Sequence, residues 1–286
     1  MTDEMILSLD QFAPFANGLD HPEGVVWGPD GFLYAGGEAG QIYQVNPESG
    51  EWTEFANTGG FILGLAFDGG GNLYACDNGN DCVQKISPSG AVTIYSSGNT
   101  ERAMAVPNYP VFDQHGNLYV TDSGGHHERN GCLWRVSPGG LAEVVSTAVN
   151  QFPNGLALSA NGDWLYIVLS NMPGVVRITL NADGTVGEPE TVIEMPQTVP
   201  DGLAFDTSGN LYISCYTPDR IYRLTPAGEL AVLVDDWEST LIATPTNIAF
   251  GGSDLKTLFI ASLGRWHLTK GTMPVTGMQL NYPVIE

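Results

Sequence analysis

Residues 201–216 read DGLAFDTSGNLYISCY: a short apolar strand, a turn carrying Ser, Gly and Asn, and a second apolar strand. Such a hairpin is common in itself; its recurrence is not. The same pattern appears as EGVVWGPDGFLYAGG, LGLAFDGGGNLYACD, NYPVFDQHGNLYVTD, NGLALSANGDWLYIVLS and TNIAFGGSDLKTLFIAS, starting at Glu23, Leu63, Asn108, Asn154 and Thr246. With Asp201 in its place, successive starts are separated by 40, 45, 46, 47 and 45 residues. A period of this size signals a propeller or a solenoid, and it leaves room for four short strands with their turns. The intervening runs QIYQVNPESGEWTEFA, CVQKISPSGAVTIYS, LWRVSPGGLAEVV and IYRLTPAGELAVLV supply the third and fourth strands, each as strand, Pro/Gly/Ser turn, strand. No segment carries a long 3.6-residue apolar period, and 36 Gly with 18 Pro disfavour extended helices. The expected fold is all-β, a six-bladed β-propeller in which residues 1–286 form one domain. A solenoid would use shorter or helical repeats and atypical caps. Near the N-terminus, QFAPFANG resembles EWTEFANTG, the outer strand before the second copy, so the N-terminal strand is expected to close the last blade and hide its edge.

Equivalent positions on the innermost strands of a closed ring point toward one axis. The first positions of the six copies are Glu23, Leu63, Asn108, Asn154, Asp201 and Thr246, and four of them carry carboxylate or carboxamide groups. Asn or Asp before Gly is an ordinary turn former. Glu is not, and four such groups in one register are poorly explained by turns. Two carboxylates converging in a narrow channel repel each other unless a cation or protons neutralise them. The donors are all oxygen, which suits a hard divalent ion: Ca²⁺ first, with Mn²⁺ and Mg²⁺ next and Zn²⁺ a weaker alternative. Glu23, Asn108, Asn154 and Asp201 are therefore the expected metal ligands. Four ligands leave open positions for water and substrate, which points to an enzyme.

Composition narrows the partners. Ten Lys and Arg face 32 Asp and Glu, a net charge of −22, which repels nucleic acid and anionic membrane surfaces. The N-terminus is acidic and no apolar run approaches a membrane span, so a cytoplasmic protein is expected, as a monomer or small homo-oligomer. Cys76, Cys82, Cys132 and Cys215 lack zinc spacing; Cys76 and Cys82 could face each other across a hairpin, although free thiols are the better reading.

At the register residues the chain resembles the family of senescence marker proteins, gluconolactonases and luciferin-regenerating enzymes. HPEGVVW resembles its metal-binding Glu motif, with Val25 in place of the customary Pro. FPNGLALSANGDWLY and VPDGLAFDTSGNLY are similar to the segments that supply a metal-binding Asn and a metal-binding Asp, here Asn154 and Asp201. PNYPVFDQHGNLYVTD aligns with the segment whose Asn lies near metal and substrate, here Asn108, and TPTNIAFGGSDLKTLFIAS with the final-blade signature. The likeness runs through almost the whole chain. It implies a metal-dependent hydrolase of a small lactone or ester, with Asp201 handling the proton. Val106 stands where sugar-lactone hydrolases of the family carry an Arg, Arg102 lies farther upstream, and Tyr109 with Pro110 replaces an Asp and a Gly. Arg102 and Tyr109 are retained as weaker substrate contacts, and these departures favour a less polar lactone or ester. His126 and His127, in a loop after the third copy, are alternative proton acceptors. The rival readings are a non-catalytic metal-binding propeller scaffold and a strictosidine-synthase-like enzyme; both fit an intact ligand set less well. The tryptophans Trp52, Trp134, Trp164, Trp237 and Trp266 read mostly as packing between blades.

Overall fold

The computed structural model describes residues 5–181 and 184–285. Apart from one 3-10 turn at Leu9–Gln11, its regular structure is strand. Six four-stranded antiparallel sheets form six blades, five of them running outward from the axis in sequence order and the sixth taking its outermost strand from the N-terminal region. The six innermost strands are Gly24–Trp27, Ile62–Phe67, Pro107–Phe112, Pro153–Leu158, Val199–Phe205 and Pro245–Gly251. We number the blades 1 to 6 in that order. The all-β six-bladed propeller expected from the repeat is thus the fold.

Blade 6 is completed by the N-terminal strand Phe12–Phe15, which pairs antiparallel with Leu268–Thr272 in the register Phe12↔Gly271 to Phe15↔Leu268. Farther upstream, the backbone N–H groups of Ile6 and Leu7 donate to Val232 and Leu233 of blade 5, at 3.0 and 2.9 Å. Six apolar clusters fill the spaces between sheets, so the core is a ring and not a central ball; one joins Leu63 and Tyr74 of blade 2 to Phe112 and Trp134 of blade 3.

The turn between the first two strands recurs as Asp-x-x-Gly-Asn in three blades, at Asp68, Asp113 and Asp206. In blade 5, Asp206 Oδ1 accepts from the N–H groups of Ser208 and Asn210 at 2.8 and 2.9 Å, while Oδ2 accepts from Asn210 Nδ2 and Tyr212 Oη at 2.7 and 3.0 Å. All four donors are local, which explains why one short motif can be reused around the ring.

One expectation holds and another changes. Cys76 and Cys82 are free, because the register sets Asp77 opposite Cys82 and Cys76 opposite Val83, so the two thiols lie one residue out of step and on opposite faces. Trp134 is a buried packing residue as expected, but Trp237 is 81% exposed and Trp266 61%. Both sit on connections at the end of the ring where the inner strands begin. Among the described residues no helix is long and apolar enough to cross a membrane.

Candidate metal and active site

Five of the six inner strands carry an irregularity at the register position. In blade 4, Pro153 pairs with Leu169 and Leu156 with Ile167, so three steps on the inner strand match two on its neighbour. The same shift occurs in blades 2, 3, 5 and 6. A bulge of this kind kinks the strand and re-aims its side chains. It coincides with Asn108, Asn154 and Asp201, the residues expected to face the axis. The inner strands also crowd each other there: a Cβ on Gly155 would sit 2.3 Å from the Asp201 carbonyl oxygen, and one on Gly24 only 1.9 Å from that of Leu63. The Gly after the ligand position is therefore a requirement of close approach between blades as much as of turning.

Hydroxyls from the second strands stitch this crowded ring together. Ser123 Oγ donates to the Pro153 carbonyl at 2.8 Å, Ser170 Oγ to that of Pro200 at 2.7 Å, and Thr121 Oγ1 to that of Asn154 at 2.7 Å. Ser214 binds the Thr246 carbonyl, and Thr246 Oγ1 donates to the Glu23 carbonyl at 2.7 Å, so the seam crosses the point of ring closure. The same hydroxyls orient the amides. Asn108 Nδ2 donates to Ser123 Oγ at 3.0 Å, and Asn154 Nδ2 to Ser170 Oγ at 3.4 Å. With their nitrogens engaged, the amide oxygens are left facing away from the seam.

Glu23, Asn108, Asn154 and Asp201 are each only 4–6% exposed. Asn108 Oδ1, Asn154 Oδ1 and Asp201 Oδ1 are buried without a hydrogen-bond partner, and so is Asn247 Oδ1. Buried oxygens without partners are rare and costly in folded proteins. Burial pushes the Glu23 carboxyl well above its usual range and the charge on Asp201 pushes it further, opposed by a hydrogen bond from Asn247. Burial likewise raises Asp201, opposed by a hydrogen bond from Asn154. Two carboxyls in electrostatic contact and four oxygens lacking donors form a set that a divalent oxygen-seeking cation would satisfy at once. The residues present fit such an ion.

Asn247 was not anticipated. Its Nδ2 donates to the Glu23 carbonyl at 2.9 Å and to Glu23 Oε2 at 3.0 Å, so it both holds the carboxylate and adds an oxygen to the set. The signal was present: blade 6 reads Thr-Asn where blades 4 and 5 read Asn-Gly and Asp-Gly, a polar amide in a Gly position. Thr246 itself turns its hydroxyl to the backbone.

The weaker candidates fall elsewhere. Arg102 Nη2 donates to the Asn130 carbonyl and clips its own loop to the one carrying His126 and His127. Those two histidines are exposed; their rings lie 3.9 Å apart, and His126 rests edge-on against Phe152 at 5.5 Å. Among the described residues no hydrogen bond or ring contact joins either to the four register side chains. The Val106 side chain packs against the core between blades 2 and 3. Tyr109 stays close: burial raises its phenol, and the charges of Glu23 and Asp201 raise it further. A separate group, Asp20, His21 and Glu38, lies in the loops around the start of blade 1. There His21 Nδ1 lies 3.2 Å from Asp20 Oδ1 and 3.1 Å from Glu38 Oε2, and Gln41 Nε2 donates to Asp20 Oδ2 at 3.1 Å.

Residues 14–264 match the family described as SMP-30/Gluconolactonase/LRE-like region. The chain is 27% identical over 241 residues to a 6-deoxy-6-sulfogluconolactonase of Pseudomonas putida, covering 78% of this chain and 76% of that one. A gluconolactonase structure from Xanthomonas campestris superposes with a TM-score of 0.79 at 18% identity, over 92% of this chain and 89% of the other. A calcium-binding regucalcin structure from Agrobacterium tumefaciens gives 0.80 at 17% identity over 99% of each chain. At such identities the two structures speak to the fold alone.

Proposed function

Because the chain belongs to the SMP-30/gluconolactonase/LRE-like family, we propose that it hydrolyses a small-molecule lactone at the inner-strand site, with a divalent ion, Ca²⁺ first, held by Glu23, Asn108, Asn154 and Asp201. The observation that carries this reading is the set of buried oxygens without donors around two carboxyls whose charged forms are disfavoured. Asn247 joins the four as a further oxygen. When bound, such an ion supplies neutralisation of the carboxylates, polarisation of the ester carbonyl and a lowered pKa for water.

The chain's own residues divide the remaining work. Ser123 and Ser170 fix the direction of the Asn108 and Asn154 oxygens, and Asn247 fixes Glu23. Asp201 is assigned as the general base: it is the carboxylate the family likeness gives the proton, and its Oδ1 has no partner within the chain. His126 and His127 are too exposed and too detached to be preferred. For substrate class, the relatedness to a sulfogluconolactonase favours a sugar lactone. Val106 in the core and Arg102 engaged at Asn130 remove two polar anchors and favour a less polar ring.

The test is metal analysis of the purified protein followed by chelation and a panel of γ- and δ-lactones, sugar lactones and aryl esters. About one divalent ion per chain and lactone turnover lost on chelation are expected. A metal-free protein with full activity ends the proposal, and turnover of nothing in the panel favours the scaffold.

A further inference from the structure

The axial channel has a second compartment, at the opposite end from the carboxyls, of about 420 Å³. All six inner strands contribute to its wall, through Val25, Leu65, Pro110, Leu156, Leu203 and Ile248. Its volume falls in the range of small-molecule sites. Tyr109 forms its inner end: the ring lines the cavity and retains accessible surface, although the phenol is deep enough to feel Glu23 and Asp201 on the other side. The outer end is crossed by the C-terminal segment, which lies beyond the family-matched residues 14–264. Met278 N–H donates to the Phe205 carbonyl of blade 5 at 2.8 Å, Asn281 Nδ2 to that of Phe112 in blade 3 at 3.1 Å, and Tyr282 Oη to that of Trp27 in blade 1 at 2.7 Å. Gly69 N–H of blade 2 then binds the Pro283 carbonyl at 2.7 Å.

The lining defines the ligand. Among the described residues no Lys or Arg faces the cavity, and its one imidazole, His115, lies exposed at the rim beside Gln114 at 3.4 Å, so an anion finds no fixed counter-charge in the depth. Its two carboxylates are already engaged within their own turns, Asp113 by Asn117 and the His115 N–H, and Asp163 by Asn161. The mouth carries neutral carboxamides, Gln114, Asn117, Asn161, Gln279 and Asn281, while the depth is aliphatic and aromatic. We propose that this compartment is a binding site for a neutral amphiphile, an alcohol, ketone or ester whose apolar body lies toward Tyr109 and whose polar end meets the amide rim. The site is separate from the metal-ligand set and does not rest on the proposed hydrolysis.

The experiment is titration of the full-length protein with the neutral dye Nile red, with and without chelator, and displacement by 1-decanol. One dye per chain, displaced by decanol and indifferent to chelation, is expected. Val111→Trp fills the cavity from a partly exposed wall position that also packs on the core between blades 3 and 4, and in any folded protein should weaken binding at least about tenfold. Leu280→Asp, on the exposed C-terminal segment, folds regardless and should weaken binding by a few-fold by placing a charge at the mouth. A Trp237→Ala, Trp266→Ala double variant should bind as wild type. No dye bound by the wild type, affinity unchanged by Leu280→Asp and by any folded Val111→Trp protein, or binding lost with the two exposed indoles would each overturn the assignment.

Discussion

Asp122 and Asp201 are both buried carboxylates on strands near the axis, and their surroundings are opposite. Asp122 accepts from the N–H groups of Ala105, Val106 and Gly124 and from Trp134 Nε1, at 2.9 to 3.2 Å. Asp206 has four donors in the same way. Asp201 has one oxygen with no donor at all, and Glu23 beside it is supported mainly by Asn247. The fold therefore has the means to saturate a buried carboxylate and uses them where the role is architectural. Where it withholds them, at Asp201 Oδ1, the carboxylate keeps an oxygen with no partner within the chain.

Exchanging the two kinds of carboxylate should separate activity from stability, and the largest effect is expected at Asp201. Asp201→Asn at saturating metal should lower lactone turnover by about 10² to 10⁴, the typical worth of general-base help, while the melting temperature stays near wild type. Equal recovery of Asp201→Asn and Glu23→Gln with added metal would make Asp201 a ligand only and move the proton to His126 or His127. Asp122→Ala should behave in the reverse sense: about 3 kcal/mol less stable in chemical denaturation, because four donors lose their acceptor, two of them the backbone that leads into Asn108.

Glu23→Gln should lower metal affinity by roughly ten- to a hundredfold in calorimetric titration, with activity recovering as metal is added, since a carboxamide oxygen still coordinates a hard cation. The same substitution has a second signature without metal. The Glu23 carboxyl is raised in the folded state, so its contribution is fully favourable below the ordinary glutamate pKa and is lost as pH rises through the folded value. Metal-free Glu23→Gln should thus match wild type near pH 4 and be the more stable of the two at pH 8. A metal-free wild type as stable as the variant at pH 8 would mean the pair is neutralised by other means. The smallest effect is expected for Ser123→Ala, which frees the Asn108 amide to rotate and should weaken metal binding by a few-fold without abolishing it.

The register was legible because period and residue type coincide: six hairpins at 40 to 47 residues place Glu23, Asn108, Asn154 and Asp201 on one ring, and any six-fold closure brings them together. Closure by Phe12–Phe15 was legible for the same reason, as a displaced copy of an outer strand. What escaped was set by contacts with no period. Asn247 points inward only because a bulge turns the residue after the register position, and Ser123 and Ser170 matter only through the neighbouring blade. Trp237 and Trp266 resemble packing residues in composition, yet sit exposed on connections, Trp266 with only the His21 ring edge-on at 5.0 Å as an aromatic neighbour among the described residues. The far cavity depends on a C-terminal segment that belongs to no repeat.

The ring joins Phe12–Phe15 to Leu268–Thr272, two strands far apart in the sequence. Asn247 meets Glu23 across a separation of 224 residues. A nascent chain can thus complete most blades while the inner-strand site does not yet exist, its carboxylates still open to water on separate parts of a growing arc. The inner-strand site is assembled only when the two ends clasp, so its geometry arises in the single event of ring closure.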